Sequence, residues 1–239
     1  MAAAKAEVVE KQSKAAKLGD FVLVDYDCWI KDTDELLETT MRETAEREGK
    51  LDENREYKPV LLILGARWVT RGLDEGILGM YEGEERVFEV PPEKAYGKRD
   101  PSKVRMFPER RIRRSGARLV PGEEVEINGV RGVIESVSGG RVRVNFNHPL
   151  ASKALKYRVI LRKILESPEE KASAVFEKAY GSKPELLKVE DGCVKVRTLA
   201  SPETISELAA RKAYFIALVS RYLREVSKLE LTEVYELAR

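Results

Sequence analysis

Between Leu64 and Gly97 the chain reads LGARWVTRGLDEGILGMYEGEERVFEVPPEKAYG, and this stretch limits the possible folds more than any other. Val60 to Leu64 is short and wholly apolar, the pattern of a buried strand, and Pro59 closes the charged segment before it. Gly72 to Met80 fits one to two helical turns with Leu73, Ile77 and Leu78 inward. Glu84 to Val90 alternates as a strand, and Pro91-Pro92 ends it because proline has no amide hydrogen for a ladder.

The flanks extend this β-rich pattern. Asp20 to Ile30 (DFVLVDYDCWI) is dense in β-branched and aromatic residues and predicts a strand. Leu155 to Leu165 (LKYRVILRKIL) alternates as another and should return to the same sheet. Residues 31–58 are strongly charged and predict a long connection with a short helix, and residues 1–17 predict a frayed helix or disordered tail. Residues 98–149 form a different unit. A basic run, KRDPSKVRMFPERRIRRSGAR, precedes strand patterns at Glu124–Ile127, Gly132–Val137 and Arg141–Phe146, with Asn128-Gly129 and Ser138-Gly139-Gly140 as hairpin turns. Residues 166–239 form a third unit. Ser167-Pro168-Glu169-Glu170 starts a helix that runs to Tyr180 and stops at Gly181. Two strands follow, near Glu185–Val189 and Cys193–Leu199. Ser201-Pro202-Glu203 then starts a helix predicted to reach about Leu229, with apolar residues at three- and four-residue spacing.

Composition excludes several classes. In 239 residues no apolar run approaches the roughly 20 needed to span a membrane, and the N-terminus lacks the apolar core of a secretory signal, so a cytoplasmic protein is expected. Cys28 and Cys193 sit far apart in apolar runs and read as two unrelated buried thiols. A single histidine removes most histidine-based metal sites, and no cofactor or metal is expected. Lysine, glutamate and arginine are abundant while glutamine occurs once, a thermophile-like balance.

The stretch from Leu64 to Gly97 resembles the centre of the FKBP-type peptidyl-prolyl isomerases. The stretch Asn147-His148-Pro149-Leu150-Ala151-Ser152-Lys153-Ala154-Leu155-Lys156-Tyr157 resembles the return into the barrel in the branch with an inserted flap. Over residues 18–165 the chain is similar to a long-type archaeal, SlyD-like member. The resemblance implies a mainly β fold with α+β parts. An FKBP-like half-barrel around a short helix (18–97 and 150–165) would carry an inserted β-rich flap (98–149), followed by a C-terminal α+β domain (166–239).

The resemblance also implies a site. Tyr26 matches the pocket-wall tyrosine of the first strand. Val69 and Thr70 match the apolar pair before Arg-Gly, with the Thr70 backbone N–H expected to hold a substrate carbonyl. Leu73 matches the pocket floor, and Tyr96 the tyrosine whose hydroxyl reaches substrate. Tyr157 stands where the branch usually has phenylalanine. Glu38, in Leu37-Glu38-Thr39-Thr40, replaces the family's usual aspartate with a side chain one methylene longer, and Leu61 or Leu62 lies on the wall strand. Taken singly, Tyr26, Leu73, Tyr96 and Tyr157 would read as ordinary core residues. Trp68 reads as a rim residue.

Such a pocket fits the chemistry. Rotation about a prolyl amide faces a barrier of roughly 18–20 kcal/mol. A dry aromatic site that suits the twisted amide lowers it without any nucleophile. Within the basic run, Val104, Met106, Phe107 and Ile112 are expected to grip unfolded or proline-containing polypeptides. Two other readings stand beside that one: a solvated face over its own small core, and a nucleic-acid patch, which the balanced net charge of +2 disfavours. The function expected is prolyl isomerisation with chaperone activity. A nucleic-acid- or ribosome-associated module on an isomerase scaffold is the alternative, and an assembly protein with a vestigial pocket is a third reading. A homodimer through the C-terminal domain is expected because the last helix carries a stripe of Phe215, Ile216, Val219, Tyr222 and Leu223 that only one other helix and two short strands are there to cover; the rival reading is that the stripe packs back on the unit's own sheet.

Overall fold

The computed structural model describes residues 14–114, 116–199 and 205–235. The molecule is mainly β with α+β parts, built on three sheets, each with apolar residues packed against it. The first sheet holds β1 (Phe21–Ile30), β2 (Glu35–Thr39), β3 (Val60–Ile63), β4 (Glu85–Val90) and β9 (Leu155–Leu165), all antiparallel. Its order is β2-β1-β9-β4, with β3 also paired to β1. A short helix, α2 (Arg71–Ile77), packs on one face. Side chains alternate along a strand, so Val22, Val24, Tyr26 and Cys28 meet Leu73 and Ile77 on that face. Phe21 and Leu23 point the other way.

The second sheet comprises β5 (Val104–Pro108), β6 (Glu124–Ile127), β7 (Val130–Ser138) and β8 (Arg141–Asn145), ordered β5-β8-β7-β6, with α3 (Glu109–Arg113) against it. Asn128 and Gly129, at φ 55° and 77°, make the tight turn between β6 and β7. The third sheet has order β10-β11-β12, from Leu186–Glu190, Cys193–Leu199 and Lys228–Val234. Helix α4 (Pro168–Tyr180) starts with a capping box between Ser167 and Glu170 and ends at Gly181 in the left-handed region. Helix α5 (Ile205–Tyr222) makes the crossover that parallel strands β11 and β12 require.

Several expectations change. The start of the last helix, Ser201-Pro202-Glu203, lies outside the described residues, as do residues 1–13 of the tail. Residues 14–17 are not loose: Ala16 is buried and its N–H donates to the Met80 carbonyl at 2.8 Å. The 31–58 connection contains β2 as well as α1 (Arg42–Arg47). The basic run contains β5 and α3. The last helix stops at Tyr222 rather than near Leu229, and β12 follows. Val226 and Leu229 continue the helical spacing by coincidence, because Leu229 and Leu231 belong to a period of two.

Burial of the expected stripe removes the argument for the homodimer. Phe215, Val219 and Leu223 are buried and Tyr222 is half-buried, all within one cluster with Val175, Phe176 and Val194. Ile216 alone of the expected stripe is exposed. The third strand and the back of the first sheet supply the missing cover: Phe21, Leu61, Ile63 and Leu165 belong to the same cluster.

Candidate functional site

The α2 face of the first sheet gathers most of the expected site. Strand pairing places Cys28 opposite Tyr157, and Tyr157 opposite Phe88 of β4. The Tyr157 ring stacks on Phe88 (centroids 5.9 Å apart, 23° between planes) and tilts against Tyr26 (6.2 Å, 57°). These rings form an aromatic wall. Leu73, 1% exposed, projects from α2 into the same cluster, and half-buried Val69 packs beside it.

Two glycines let the helix come so close. A Cβ at Gly72 would sit 2.9 Å from the Val90 Cβ and nearer still to both its methyls, and one at Gly76 would lie inside the Phe88 ring's contact distance. Thr70 caps α2 with extended backbone (φ −59°, ψ 146°) and no side-chain cap bond, so its hydroxyl meets the Tyr157 hydroxyl at 3.3 Å instead. The Thr70 backbone N–H has no backbone or side-chain acceptor among the described residues.

Burial governs the electrostatics. It pushes the Tyr26 and Tyr157 hydroxyls well above the usual tyrosine range, with the Glu38 carboxylate adding to the rise at Tyr26 and Cys28 adding to it at Tyr157. Burial also pushes the Cys28 thiol up to about 11, opposed by a hydrogen bond with Tyr157. The wall is therefore neutral at physiological pH. It presents hydroxyls in a low-dielectric setting, where hydrogen bonds to a carbonyl are strengthened.

Tyr96 and Glu38 stand at the rim. Tyr96 is 41% exposed, and its ring lies flat on His148 (4.3 Å, 3°). The His148 Nδ1 accepts the Leu150 N–H at 3.1 Å, which fixes that ring. Glu38 is exposed on β2 and lies 3.7 Å from Arg55. Its strand is pinned from behind β1. Thr39 donates to Asp27 at 2.5 Å, and Thr40 donates to Asp25 at 2.8 Å while accepting the Tyr26 N–H at 2.9 Å. Arg162 Nε donates to Asp25 at 2.6 Å. Asp27 is fully buried, which pushes its carboxyl up against the pull of Thr39, Arg158 and Thr44. Arg158 Nε lies 3.2 Å from it as an ion pair, poorly aligned for a hydrogen bond.

Other expected residues lie elsewhere. Trp68 is not at the pocket rim. It joins the second cluster, edge-on to Tyr222 (5.6 Å, 90°) and beneath the Lys178 ammonium (4.5 Å), because its side chain points to the back of the sheet. Of the wall-strand pair, Leu62 faces the pocket cluster and Leu61 the C-terminal helices. In the second sheet, Met106 is 51% exposed, and Val104 and Phe107 are half-buried. Ile112 is corrected: it is fully buried in that sheet's own core with Val125 and Val142, so it cannot contact a bound chain.

Sequence reasoning missed Phe88, the Cys28–Tyr157 contact and the His148 stack. The signal for Phe88 was present, since it shares the alternating face of β4 with Val90. Cys28 and His148 gave none, because each meets its partner only through long-range pairing.

Comparison with known proteins identifies the family. A family model described as FKBP-type peptidyl-prolyl cis-trans isomerase matches residues 12–111, and one described as FKBP26, IF domain, matches residues 105–150. A short-type peptidyl-prolyl cis-trans isomerase from Methanocaldococcus jannaschii is 32% identical over 155 residues, covering 64% of this chain and 97% of that protein. The SlyD protein of Helicobacter pylori is 30% identical over 144 residues, 58% of this chain and 76% of its own length. An FKBP-type 16 kDa isomerase of Escherichia coli is 27% identical over 106 residues, 43% of this chain and 71% of its own. The chain belongs to the FKBP-type peptidyl-prolyl cis-trans isomerase family and is an isomerase of that type.

Proposed function

We propose that the pocket walled by Tyr26, Tyr157 and Phe88, floored by Leu73 and rimmed by Val69 and Tyr96, is where this chain isomerises X–Pro bonds. The observation that carries the assignment is the aromatic wall beside the Thr70 N–H, a donor without an acceptor among the described residues. A proline ring seated against Tyr26, Leu73 and Tyr157 loses water around its amide. Amide resonance depends on charge separation, so the planar ground state is stabilised less than in water and the twisted state gains relative to it. The Thr70 N–H holds a neighbouring substrate carbonyl, and the Tyr96 hydroxyl reaches the substrate from the rim. Exposed Glu38 replaces a shorter carboxylate and acts through its field rather than by proton transfer.

We further read the chain as a long-type, SlyD-like archaeal member with chaperone activity. Residues 18–97 and 150–165 form the isomerase domain, residues 98–149 hold unfolded chain through Met106, Phe107 and Val104, and residues 166–239 form a C-terminal domain. Two findings support this reading: the match of residues 105–150 to the IF-domain model, and the likeness to a SlyD protein. The nucleic-acid alternative gains no support from these relatives. The two free buried thiols suit the cytoplasm, and among the described residues no helix is long and apolar enough to cross a membrane. Homodimerisation, having lost the α5 stripe, rests only on exposed Tyr214 and Ile216.

The test is a prolyl-tetrapeptide isomerisation assay on the full chain and on Tyr96→Ala. Tyr96 is exposed, so this variant should fold, and its rate should fall about tenfold or more, the scale of a lost positioning contact. An unchanged rate removes Tyr96 from the site. No acceleration by the parent chain removes the catalytic reading of the pocket. Leu73→Ala is a poor test, because Leu73 is fully buried and its truncation costs roughly 2–5 kcal/mol of stability.

A further inference from the structure

The second sheet carries a cleft of about 600 Å³ between β5 and the β6–β7 hairpin. Its walls include Met106, Phe107, Val130 and Phe146, and its polar edge includes the cations Lys103, Arg105 and Arg111. Three cations elsewhere in this unit are paired, whereas Arg110, Arg114, Arg118, Arg141 and Arg143, like those of the cleft, have no carboxylate within 4.0 Å among the described residues. Arg99 pairs with Glu135, Arg113 with Glu109 at 3.7 Å, and Arg131 with Glu126 at 4.0 Å. Thus Glu109 and Glu126, on the adjoining α3 and β6, are already engaged. None of the three cleft cations has a carboxylate partner among the described residues. Arg111 donates to the Asn128 side-chain oxygen at 3.2 Å and lies 5.2 Å over the Phe107 ring.

We propose that this cleft selects acidic–apolar segments: extended polypeptide in which an aromatic or aliphatic side chain is flanked by aspartate or glutamate. The proposal rests on the chain-binding role given above to residues 98–149 and adds the class of chain that is held. An apolar side chain fills the cleft while carboxylates meet Lys103, Arg105 and Arg111, each a charge-assisted contact at a partly desolvated edge. Flexible Met106 adapts to different apolar partners. The same cations would attract a nucleic acid, but a single-stranded binder also needs open aromatic faces for the bases. Phe107 is covered by Arg111 and meets Phe146 edge-on at 6.0 Å and 75°, so the observations favour peptide.

The experiment uses the full chain and two fluorescein-labelled unfolded peptides of equal length and apolar content, one flanked by Asp and Glu, the other by Lys. Fluorescence anisotropy should show roughly tenfold tighter binding of the acidic peptide, the sum of three modest exposed charge contacts. The difference should close at about 0.5 M salt, where screening is short-ranged. Lys103 and Arg105 are exposed, so the double charge reversal Lys103→Glu, Arg105→Glu should fold, as circular dichroism can check, and should abolish or invert the preference. Equal binding of both peptides overturns the selectivity but leaves chain binding intact. Failure of either peptide to bind overturns the chain-binding reading and this proposal with it. A preference that survives the charge reversal places the site elsewhere. A single-stranded oligonucleotide that binds more tightly than the acidic peptide and displaces it makes the cleft a nucleic-acid surface instead.

Discussion

Replacing Gly72 with alanine should destabilise the protein, although the same change stabilises most helices. Alanine in a helix interior gains up to about 1 kcal/mol over glycine. Here the new Cβ would stand 2.9 Å from the Val90 Cβ and closer to both methyls, whereas carbon atoms rest about 3.5–4.0 Å apart. Val90 cannot yield easily. It is buried, β-branched and pinned opposite Leu155 in the β4–β9 ladder. Overpacking costs roughly 1–3 kcal/mol, and contacts this short belong in the upper half of that range, so after the gain from alanine the net loss should be about 1–2 kcal/mol. Relief would come from α2 moving off the sheet, which would carry Leu73 and Thr70 away from Tyr157 and slow isomerisation about tenfold or more. Urea unfolding of Gly72→Ala, Val90→Ala and the double variant, with tetrapeptide rates for each, measures both effects. The double variant should be more stable than the two single losses added together, because removing the Val90 methyls makes room for the new one. A Gly72→Ala protein as stable as its parent, or strictly additive losses, would refute the reasoning.

Two further outcomes follow from the same packing. Burial raises the Cys28, Tyr26 and Tyr157 proton affinities, so the folded state holds those protons longer than the unfolded chain does. The stabilisation tied to these protons is complete below the ordinary thiol value of 9.0 and is lost as pH rises towards about 11 and beyond. Tetrapeptide turnover should thus be flat from about pH 6 to 9, where no wall group titrates, while the urea midpoint falls above that range; a bell-shaped profile centred near neutrality would contradict a neutral wall. Truncation after Glu166 should leave Phe21, Leu61, Ile63 and Leu165 uncovered on the back of the first sheet. The truncated chain should associate with rising concentration in light scattering and unfold at lower urea than the full chain; a monomeric fragment as stable as the parent would show that the second cluster contributes little.

The sequence by itself determined the elements whose periodicity is set by local burial. β4, β9 and α4 were legible because each shows one period, and β1 because it is dense in β-branched and aromatic residues. That Tyr26, Leu73 and Tyr157 gather on one face was legible through family resemblance, since they lie in motifs that specify position as well as type. Tertiary structure decided which face each element buries and what lies opposite. Nothing local distinguishes Trp68 behind the sheet from Val69 beside the pocket, or Leu61 from Leu62, because adjacent residues on an extended chain face opposite ways. Nothing local marks Ile112 as core while Met106 stays exposed. The end of α5 was misread for a related reason: a helical stripe and an alternating strand share positions for a few residues, and the pairing of β12 with β11, close in space but far along the chain, resolved them. Contacts such as Phe88 on Tyr157, Tyr96 on His148 and α5 on the back of the first sheet join residues distant in sequence, and their energies exist only once the chain has closed around them.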